Sequence, residues 1–479
     1  MDGKNFNNRP SIIVGLAILF LYGISFLLSD ISIFGIKFKQ VDIFENLRPN
    51  QSIEENQNKD SVISFNNHNI NLSSASASNL EYSKLIKNLS NFIENEYDQF
   101  ENKPVAQYPT LSNSPLEGNV EQLRIFFNAL DSSKTSQIRV AHYGDSSLEG
   151  DLITAYLRNK FQQKFGGKGV GFLPITSEDI NFRETTKISF SDDWTTASIS
   201  GSNPDDLKVG IGGKVFLNSK NSWVKFETIP KFRSTRNFDI ARLFYSNAKS
   251  NSLLKYSFDK SSEKSISLLS DESIKESTIK KSNSSSLEIF FPNEKMGHFY
   301  GISLEGKTGV YIDNLPLRGN SGMDLGKISN QTLKEFNSFF NYKLVILEFG
   351  LNILSGRNTN FSKYETEMIK VINEYKKSFP QTSFLLIGVH DKCIKKKMNF
   401  ITDPAIIKLV QTQKRIAKKT DIAFWNLFEA MGGENSMANW VNANPPLAYS
   451  DYTHFTSIGT KEEAEMLFET LMDTKNSYE

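Results

Sequence analysis

The stretch VAHYGDSSLEG, residues 140–150, decides the fold of this chain. Its first half is apolar and predicts a short buried strand, and a helical pattern begins directly after Gly144, Asp145 and Ser146. A strand that turns at once into a helix places the side chain at the turn on the carboxyl edge of a sheet, beside the N–H groups of the helix N-terminus. The stretch therefore predicts a strand–turn–helix unit that presents Ser146 to a ligand.

The C-terminal half repeats this alternation of strands and helices. KLVILEFG (343–350) and TSFLLIGV (382–389) are nearly continuous apolar runs, and the amphipathic segment KYETEMIKVINEYKKSF lies between them. Strands that are apolar on both faces and alternate with helices are typical of a parallel sheet covered on both sides. The sequence thus predicts an α/β domain formed by residues 119–175 and 301–479.

Residues 176–300 have a different pattern. Short alternating runs such as SWVKFETI and FDIARLFYS are separated by polar turns rich in Gly, Asn and Ser. Several short strands at such spacing predict a β-sandwich. We therefore predict a β-sandwich module inserted into the α/β domain.

The N-terminal region predicts a membrane anchor and a tether. Residues 11–29 form a run of 19 residues without a charge, just long enough for the ~30 Å core of a bilayer. Lys4 and Arg9 precede the run, and the positive-inside bias then places the rest of the chain across the membrane. We predict a transmembrane helix within residues 1–38, with a cleaved signal peptide as the alternative, and a flexible polar linker over residues 39–118.

Composition excludes several classes of function. Lysine and arginine number 55 against 54 aspartate and glutamate, so no net basic field is present to attract nucleic acid. We predict that the densest basic run, KCIKKK (392–397), is a solvated loop. The single cysteine, Cys393, allows neither an internal disulfide nor a cysteine zinc cluster, and the five histidines are scattered. We expect no metal and no cofactor.

Three further motifs follow strands or lie on loops of the α/β domain. RGNSGMDL places Gly322 on a loop before a helix, and LEFGLNIL ends a buried strand and then offers Asn352. SDYTHFT supplies Asp451 and His454, whose spacing allows the carboxylate to orient the imidazole. Ligands bind at the carboxyl ends of strands in an open parallel sheet, so we expect these residues to gather around Ser146.

Together the motifs resemble those of the SGNH, or GDSL-type, hydrolase superfamily. Its four blocks occur in order: Gly-Asp-Ser at 144–146, the loop glycine Gly322, Gly-x-Asn at 350–352 and Asp-x-x-His at 451–454. The layout is similar to that of the bacterial peptidoglycan O-acetylesterases, which carry a carbohydrate-module-like insertion between the first two blocks. The resemblance implies a three-layer α/β/α domain with a flavodoxin-like parallel sheet.

The resemblance also implies a role for each motif. Ser146 would be the nucleophile, His454 the base that takes its proton, and Asp451 the carboxylate that orients the imidazole. The backbone N–H groups of Ser146 and Gly322 and the side chain of Asn352 would form the oxyanion hole.

Several positions depart from the family pattern or leave a choice. Gly319 is an alternative to Gly322 in the second block. Ser147 stands where the family motif has leucine, and Ile353 stands where an acid often follows the asparagine. We expect Asp145 to hold its turn by accepting backbone N–H bonds.

The implied function is that of a serine carbohydrate O-acetylesterase, which would remove acetyl esters from a cell-wall glycan through an acetyl-Ser146 intermediate. The same residues would also serve an O-acetyltransferase that passes the acetyl group to an extracytoplasmic glycan, with a membrane acyl-transfer partner. A non-catalytic wall-binding protein on the same scaffold is the third interpretation. In each case we expect an inner-membrane anchor and a main domain in the periplasm or at the cell surface.

Overall fold

The computed structural model describes residues 32–33, 36–37, 114–354 and 359–478. The chain divides into two units, residues 1–91 and 92–479. In the first unit, β1 (Ser32–Ile33) pairs antiparallel with β2 (Ile36–Lys37). The predicted membrane helix at residues 11–29 and most of the predicted linker lie outside the described residues. Within the part of the chain that is described, no helix has the length and apolar character to cross a bilayer.

The second unit contains a central six-stranded sheet. Its strands, in spatial order, are β16 (Gly309–Pro316), β4 (Gln137–Gly144), β17 (Leu344–Glu348), β18 (Ser383–Ile387), β21 (Ala423–Trp425) and β3 (Glu117–Gly118). The first five run parallel, and β3 pairs antiparallel with β21 at the edge. The parallel strands follow the order 2-1-3-4-5, which is typical of flavodoxin-like sheets. The prediction of a mixed α/β fold with a parallel sheet is confirmed.

Helices cover both faces of this sheet. One face packs against α1 (Arg124–Asp131), α2 (Leu152–Phe165) and α8 (Ser457–Asn476), and the other against α3 (Asn330–Phe340), α4 (Ser362–Ser378) and α5 (Pro404–Thr420). In β17, Leu344 and Ile346 point into the first core, while Val345 and Leu347 point into the second. This period of two explains why the strand is apolar along its whole length.

Shorter elements lie between β18 and α8. They are the hairpin of β19 (Cys393–Lys396) and β20 (Asn399–Thr402), and the helices α6 (Leu427–Ala430) and α7 (Ser436–Asn442). Asp403 caps α5, where its side chain accepts the N–H of Ala405 and Pro404 takes the first helical position. The hairpin therefore leads directly into a well-defined helix start.

Two antiparallel sheets form the inserted module. One sheet consists of β5 (Gly171–Leu173), β7 (Thr195–Ser198), β8 (Lys214–Leu217), β10 (Phe238–Ser246), β13 (Lys275–Ser284) and β15 (His298–Glu305). The other consists of β6 (Thr186–Phe190), β9 (Ser222–Thr228), β11 (Leu253–Phe258), β12 (Lys264–Ser267) and β14 (Ser286–Phe291). Apolar side chains of both sheets, such as Phe226 and Phe299, share one core.

Three segments differ from the sequence predictions. The module is wider than residues 176–300, because β5 lies before this range and β15 extends beyond it. The end of the predicted linker, Glu117–Gly118, forms an edge strand of the central sheet. Most of the KCIKKK run is a strand of the β19–β20 hairpin rather than a loop. In each case a neighbouring strand supplies the hydrogen bonds, and this pairing is not visible in the sequence of the segment itself.

Candidate active site

The turn after β4 is shaped by a close approach of two strands. A Cβ on Gly144 would lie 2.9 Å from the carbonyl oxygen of Glu348, at the end of β17, and 2.6 Å from the side chain of Leu148. A larger residue therefore does not fit between these neighbours. A 3-10 helix, Ser146–Asp151, begins immediately after this turn.

Asp145 holds the turn, as expected. Its Oδ1 accepts the N–H of Ser147 at 2.9 Å. The N–H of Ser146 has no hydrogen-bond partner among the described residues. A free donor thus lies next to the Ser146 hydroxyl, where an oxyanion hole requires one.

Asp451 and His454 form a hydrogen-bonded pair on the loop before α8. Asp451 Oδ2 lies 2.7 Å from His454 Nδ1, and its Oδ1 accepts the N–H groups of Thr453 at 2.9 Å and His454 at 3.0 Å. Partial burial of Asp451 opposes its ionisation, but the hydrogen bonds from His454 and Thr453 outweigh it and hold its pKa below the usual value. Because a carboxylate can only accept, Nδ1 carries the proton and Nε2 is left free to accept one.

One cavity of about 310 Å³ brings most of the predicted residues together. Ser146, Asn352 and His454 line it, with Lys392 and Tyr449 at other points of the wall. It lies at the carboxyl ends of β4 and β17, where the order of the strands reverses. This is the place where open α/β sheets bind ligands.

The structure places the other predicted oxyanion donors less favourably. Gly322 has a left-handed φ of 91° and its N–H donates to Asn320 Oδ1 at 2.7 Å; it does not line the cavity. Asn352 lines the cavity, but its side-chain nitrogen donates to Asp145 Oδ2 at 3.0 Å and to the Asn320 carbonyl at 3.1 Å. Gly319, the alternative to Gly322, does not line the cavity either, and no atom would lie within 4 Å of a Cβ on it. Of the three predicted donors, the Ser146 N–H is the one with no partner among the described residues.

A buried polar network lies beneath the turn that carries Ser146. Glu348 Oε2 lies 2.9 Å from His142 Nε2, and Glu348 Oε1 accepts the Ser147 hydroxyl at 3.3 Å. His142 Nδ1 lies 3.1 Å from the Thr154 hydroxyl. Burial raises the pKa of Asp145 to about 6, against the hydrogen bond from Ser147, and the charge of Glu348 raises it further. The Ser147 hydroxyl is therefore directed into this network.

Glu463, on α8, is a buried acid near Glu348, and its sequence context did not identify it. Its side chain is buried, and neither carboxyl oxygen has a hydrogen-bond partner among the described residues. Burial and the nearby charge of Glu348 raise the pKa of Glu463 well above its usual value. An acid at the end of an apolar strand is a sequence signal for Glu348, but Glu463 stands in a charged helical segment without such a signal.

His390 is a second residue that the motifs did not indicate. It lines the cavity, its Nδ1 lies 2.6 Å from the Asp391 carbonyl, and its ring packs against Phe455 with centroids 4.5 Å apart. Burial lowers its pKa to about 4, so the imidazole is neutral at physiological pH. His390 therefore contributes an uncharged wall to the cavity.

One comparison with known proteins supports the fold. No family model and no curated protein matches the chain. A solved peptidoglycan O-acetylesterase superimposes with a TM-score of 0.62 and 19% sequence identity, over 76% of this chain and 99% of that one. This chain has the fold of that enzyme. The α/β fold with a parallel sheet that the resemblance implies is thereby confirmed.

Other solved structures match more weakly. They include a family two carbohydrate esterase from Cellvibrio japonicus, with a TM-score of 0.24 and 10% identity over 61% of this chain and 99% of that one. A GDSL-like lipase from Parabacteroides merdae has a TM-score of 0.26 and 15% identity over 35% of this chain and 73% of that one. The likeness in fold therefore rests on the O-acetylesterase.

Proposed function

We propose that this protein is a serine carbohydrate O-acetylesterase that removes acetyl esters from a cell-wall glycan. The observation that supports it is that His454, which is hydrogen-bonded to Asp451, lines the same cavity as Ser146 at the carboxyl ends of β4 and β17. A nucleophile, a base and an orienting acid are the parts that acyl transfer through serine requires. The fold shared with a peptidoglycan O-acetylesterase supports the choice of an acetylated glycan.

In the first half of the reaction, His454 Nε2 takes the proton of the Ser146 hydroxyl, and the Ser146 oxygen attacks the acetyl carbonyl. The negative charge that develops on the carbonyl oxygen is stabilised by the free N–H of Ser146. His454 then gives the proton to the sugar oxygen, which leaves as an alcohol. Asp451 stabilises the imidazolium that forms between these steps. The product is acetyl-Ser146.

In the second half, water replaces the sugar. His454 takes a proton from water, the resulting hydroxide attacks the acetyl carbonyl, and Ser146 leaves with the proton returned by His454. The side chains of His454 and Asp451 are 54% and 49% exposed, so solvent reaches the base directly. This access favours hydrolysis over transfer of the acetyl group to a second sugar.

Asn352 can join the oxyanion hole only by exchanging an existing bond. Its amide nitrogen would have to leave the Asn320 carbonyl or Asp145 to reach the oxyanion. Gly322 would likewise have to release Asn320 Oδ1. We propose that substrate binding causes this exchange at Asn352, which already lines the cavity.

The site of action is also a proposal. The uncharged run at residues 11–29, preceded by Lys4 and Arg9, supports an inner-membrane anchor with the second unit outside the cytoplasm. An O-acetylated wall glycan would be within reach of an enzyme held there.

The experiment that tests the function compares two neighbouring serines. The full chain, Ser146→Ala and Ser147→Ala would be assayed for acetate release from a chromogenic acetyl ester and from O-acetylated peptidoglycan. We expect Ser146→Ala to lower kcat by at least ~10³-fold, because the nucleophile is lost. Ser147→Ala should stay within about threefold of wild type, since its hydroxyl faces Glu348.

Two outcomes would contradict the proposal. Equal activity of wild type and Ser146→Ala would exclude Ser146 as the nucleophile. Transfer of the acetyl group to an added glycan acceptor, with little free acetate, would identify a transferase instead.

A further inference from the structure

The β19–β20 hairpin is fixed to the loop that carries Asp451 and His454. The Cys393 N–H donates to the Tyr452 carbonyl at 3.1 Å. The rings of Phe400 and Tyr452 stack with centroids 3.7 Å apart and planes within 8°. Tyr452 lies between the two members of the catalytic pair, so the hairpin stands beside the cavity and not on a remote surface.

The hairpin carries a concentration of positive charge that the protein does not neutralise. Residues 392–402 contain four lysines and no acidic residue, in a chain that is otherwise almost neutral. Lys395, Lys396 and Lys397 are exposed, and Lys392 lines the cavity. Within the described residues, no salt bridge or side-chain hydrogen bond involves any of the four.

Apolar side chains are exposed around the same hairpin. Ile394, Met398 and Phe400 on the hairpin are 39%, 89% and 38% exposed, and Tyr449 on the cavity wall is 56% exposed. Sugar rings have apolar faces that pack on such side chains, and carboxylates pair with lysine. The surface therefore combines the two contacts that an acidic polysaccharide offers.

We infer that the β19–β20 hairpin binds carboxylate groups of the glycan whose acetyl ester enters the adjacent cavity, so that the substrate is an anionic glycan. This inference rests on the proposed esterase function and adds the substrate class to it. Lys395, Lys396 and Lys397 contact the polymer outside the cavity. Lys392 contacts a carboxylate close to the ester itself.

The test separates the charge of the substrate from its acetyl ester. Full-length wild type and a triple variant, Lys395→Gln, Lys396→Gln and Lys397→Gln, would be assayed on O-acetylated peptidoglycan with free carboxylates. The same glycan after conversion of its carboxylates to amides would serve as the neutral substrate. Several exposed ion pairs together provide about a tenfold effect. We therefore expect kcat/KM of the triple variant to fall about tenfold on the anionic glycan, through KM, and to stay unchanged on the amidated glycan.

Two control variants and a salt titration sharpen the test. The triple arginine variant at the same positions keeps the charge and should retain the wild-type KM. Lys334→Gln, Lys363→Gln and Lys418→Gln together remove the same charge from exposed positions on α3, α4 and α5, and should have no effect. The difference between wild type and the hairpin variant should disappear near 0.5 M salt, where the Debye length falls to a few Å.

Three results would overturn the inference. The first is an equal fall in kcat/KM of the hairpin glutamine variant on the amidated glycan. The second is an equal fall in kcat/KM of the α3–α5 control variant on the anionic glycan. The third is a KM of the triple arginine variant that differs from the wild-type KM. A failure of the esterase proposal has a different signature, because wild type would then release no acetate from a small neutral ester. In that case, binding of Ser146→Ala to insoluble anionic and amidated glycan, with and without the hairpin substitutions, still decides the question.

Discussion

At the scale of single residues, the least expected feature is the pair of buried acids beneath the turn that carries Ser146. Glu348 accepts the Ser147 hydroxyl and contacts His142, whereas Glu463 has no hydrogen-bond partner among the described residues. Two carboxylates that are buried close together cannot both be ionised without a large penalty. Burial and the nearby charge of Glu348 therefore raise the pKa of Glu463 well above its usual value and favour its protonated form.

This assignment predicts how stability depends on pH. The folded-state pKa of Glu463 lies above its unfolded value of ~4.3, so its contribution to stability is fully present below pH ~4 and is lost as pH rises toward the folded-state pKa. Glu463→Gln is nearly isosteric and cannot ionise. We expect the free energy of unfolding of the variant to increase relative to that of wild type, by up to about 1.4 kcal/mol for each pH unit above pH ~4.5. Urea unfolding at pH 5, 6 and 7 measures this difference.

A matched control lies on the same helix. Glu469 is exposed on α8, and Glu469→Gln should follow wild type at every pH. A pH-independent difference between Glu463→Gln and wild type would show that Glu463 is ionised in the folded protein throughout this range.

At the scale of elements, the start of α8 fixes the loop that carries Asp451 and His454. Thr456 caps the helix by accepting the Gly459 N–H at 3.2 Å, and its own N–H donates to the Leu447 carbonyl at 2.9 Å. The Tyr449 N–H donates to the His454 carbonyl at 2.8 Å and closes the same loop. Helix start and loop thus form one unit, and a shift of the first moves the second.

Gly459 is the position where this unit has no spare room. A Cβ there would lie 1.9 Å from the carbonyl oxygen of Leu447, which is backbone and cannot rotate away. We expect Gly459→Ala to destabilise the protein by about 1–3 kcal/mol and to lower kcat/KM for a small acetyl ester at least tenfold, because His454 is displaced. Thermal unfolding and the esterase assay measure the two effects.

Gly212→Ala provides the comparison, since its nearest neighbours would lie 3.7 Å from the new Cβ. It should leave both stability and activity unchanged. Unaltered activity of Gly459→Ala would show that the loop is positioned independently of the helix start.

The elements also show what the sequence could predict. The strand–turn–helix at Ser146 and the pairing of Asp451 with His454 depend on neighbours within a few residues, and both were visible as motifs. The bond from the Gly322 N–H to Asn320 joins residues only two apart, and the asparagine in the RGNSGMDL motif is a sequence signal for such a bond. Contacts such as Glu348 with Glu463 join a strand to a helix far along the chain, so no local pattern predicts them.

At the scale of the whole molecule, the inserted sandwich is not a separate body attached by linkers. Phe244 of β10 packs against Phe340 of α3, with ring centroids 4.7 Å apart, in a core shared with the central sheet. Arg139 of β4 donates to Asp313 of β16 at 2.8 Å and to Glu305 of β15 at 2.6 Å. The sequence predicted an insertion, but it could not show that one buried arginine joins the two sheets.

This shared core predicts that the sandwich and the central sheet unfold together. Arg139 pairs with two carboxylates that are buried on either side of the boundary, so Arg139→Met leaves Asp313 without a cationic partner and Glu305 with Arg242 alone. Breaking a buried ion pair in this way typically costs about 3–5 kcal/mol. We expect hydrogen exchange in denaturant to give the same opening free energy for β14 of the sandwich and for β17 of the central sheet. Arg139→Met should lower the opening free energy of the two strands by the same amount. Arg415→Met, which removes a half-exposed partner of Glu365, should change either value by less than about 1 kcal/mol. Separate opening energies for β14 and β17 in wild type would mean that the sandwich folds as an independent domain, and that the buried ion pairs at Arg139 only dock it.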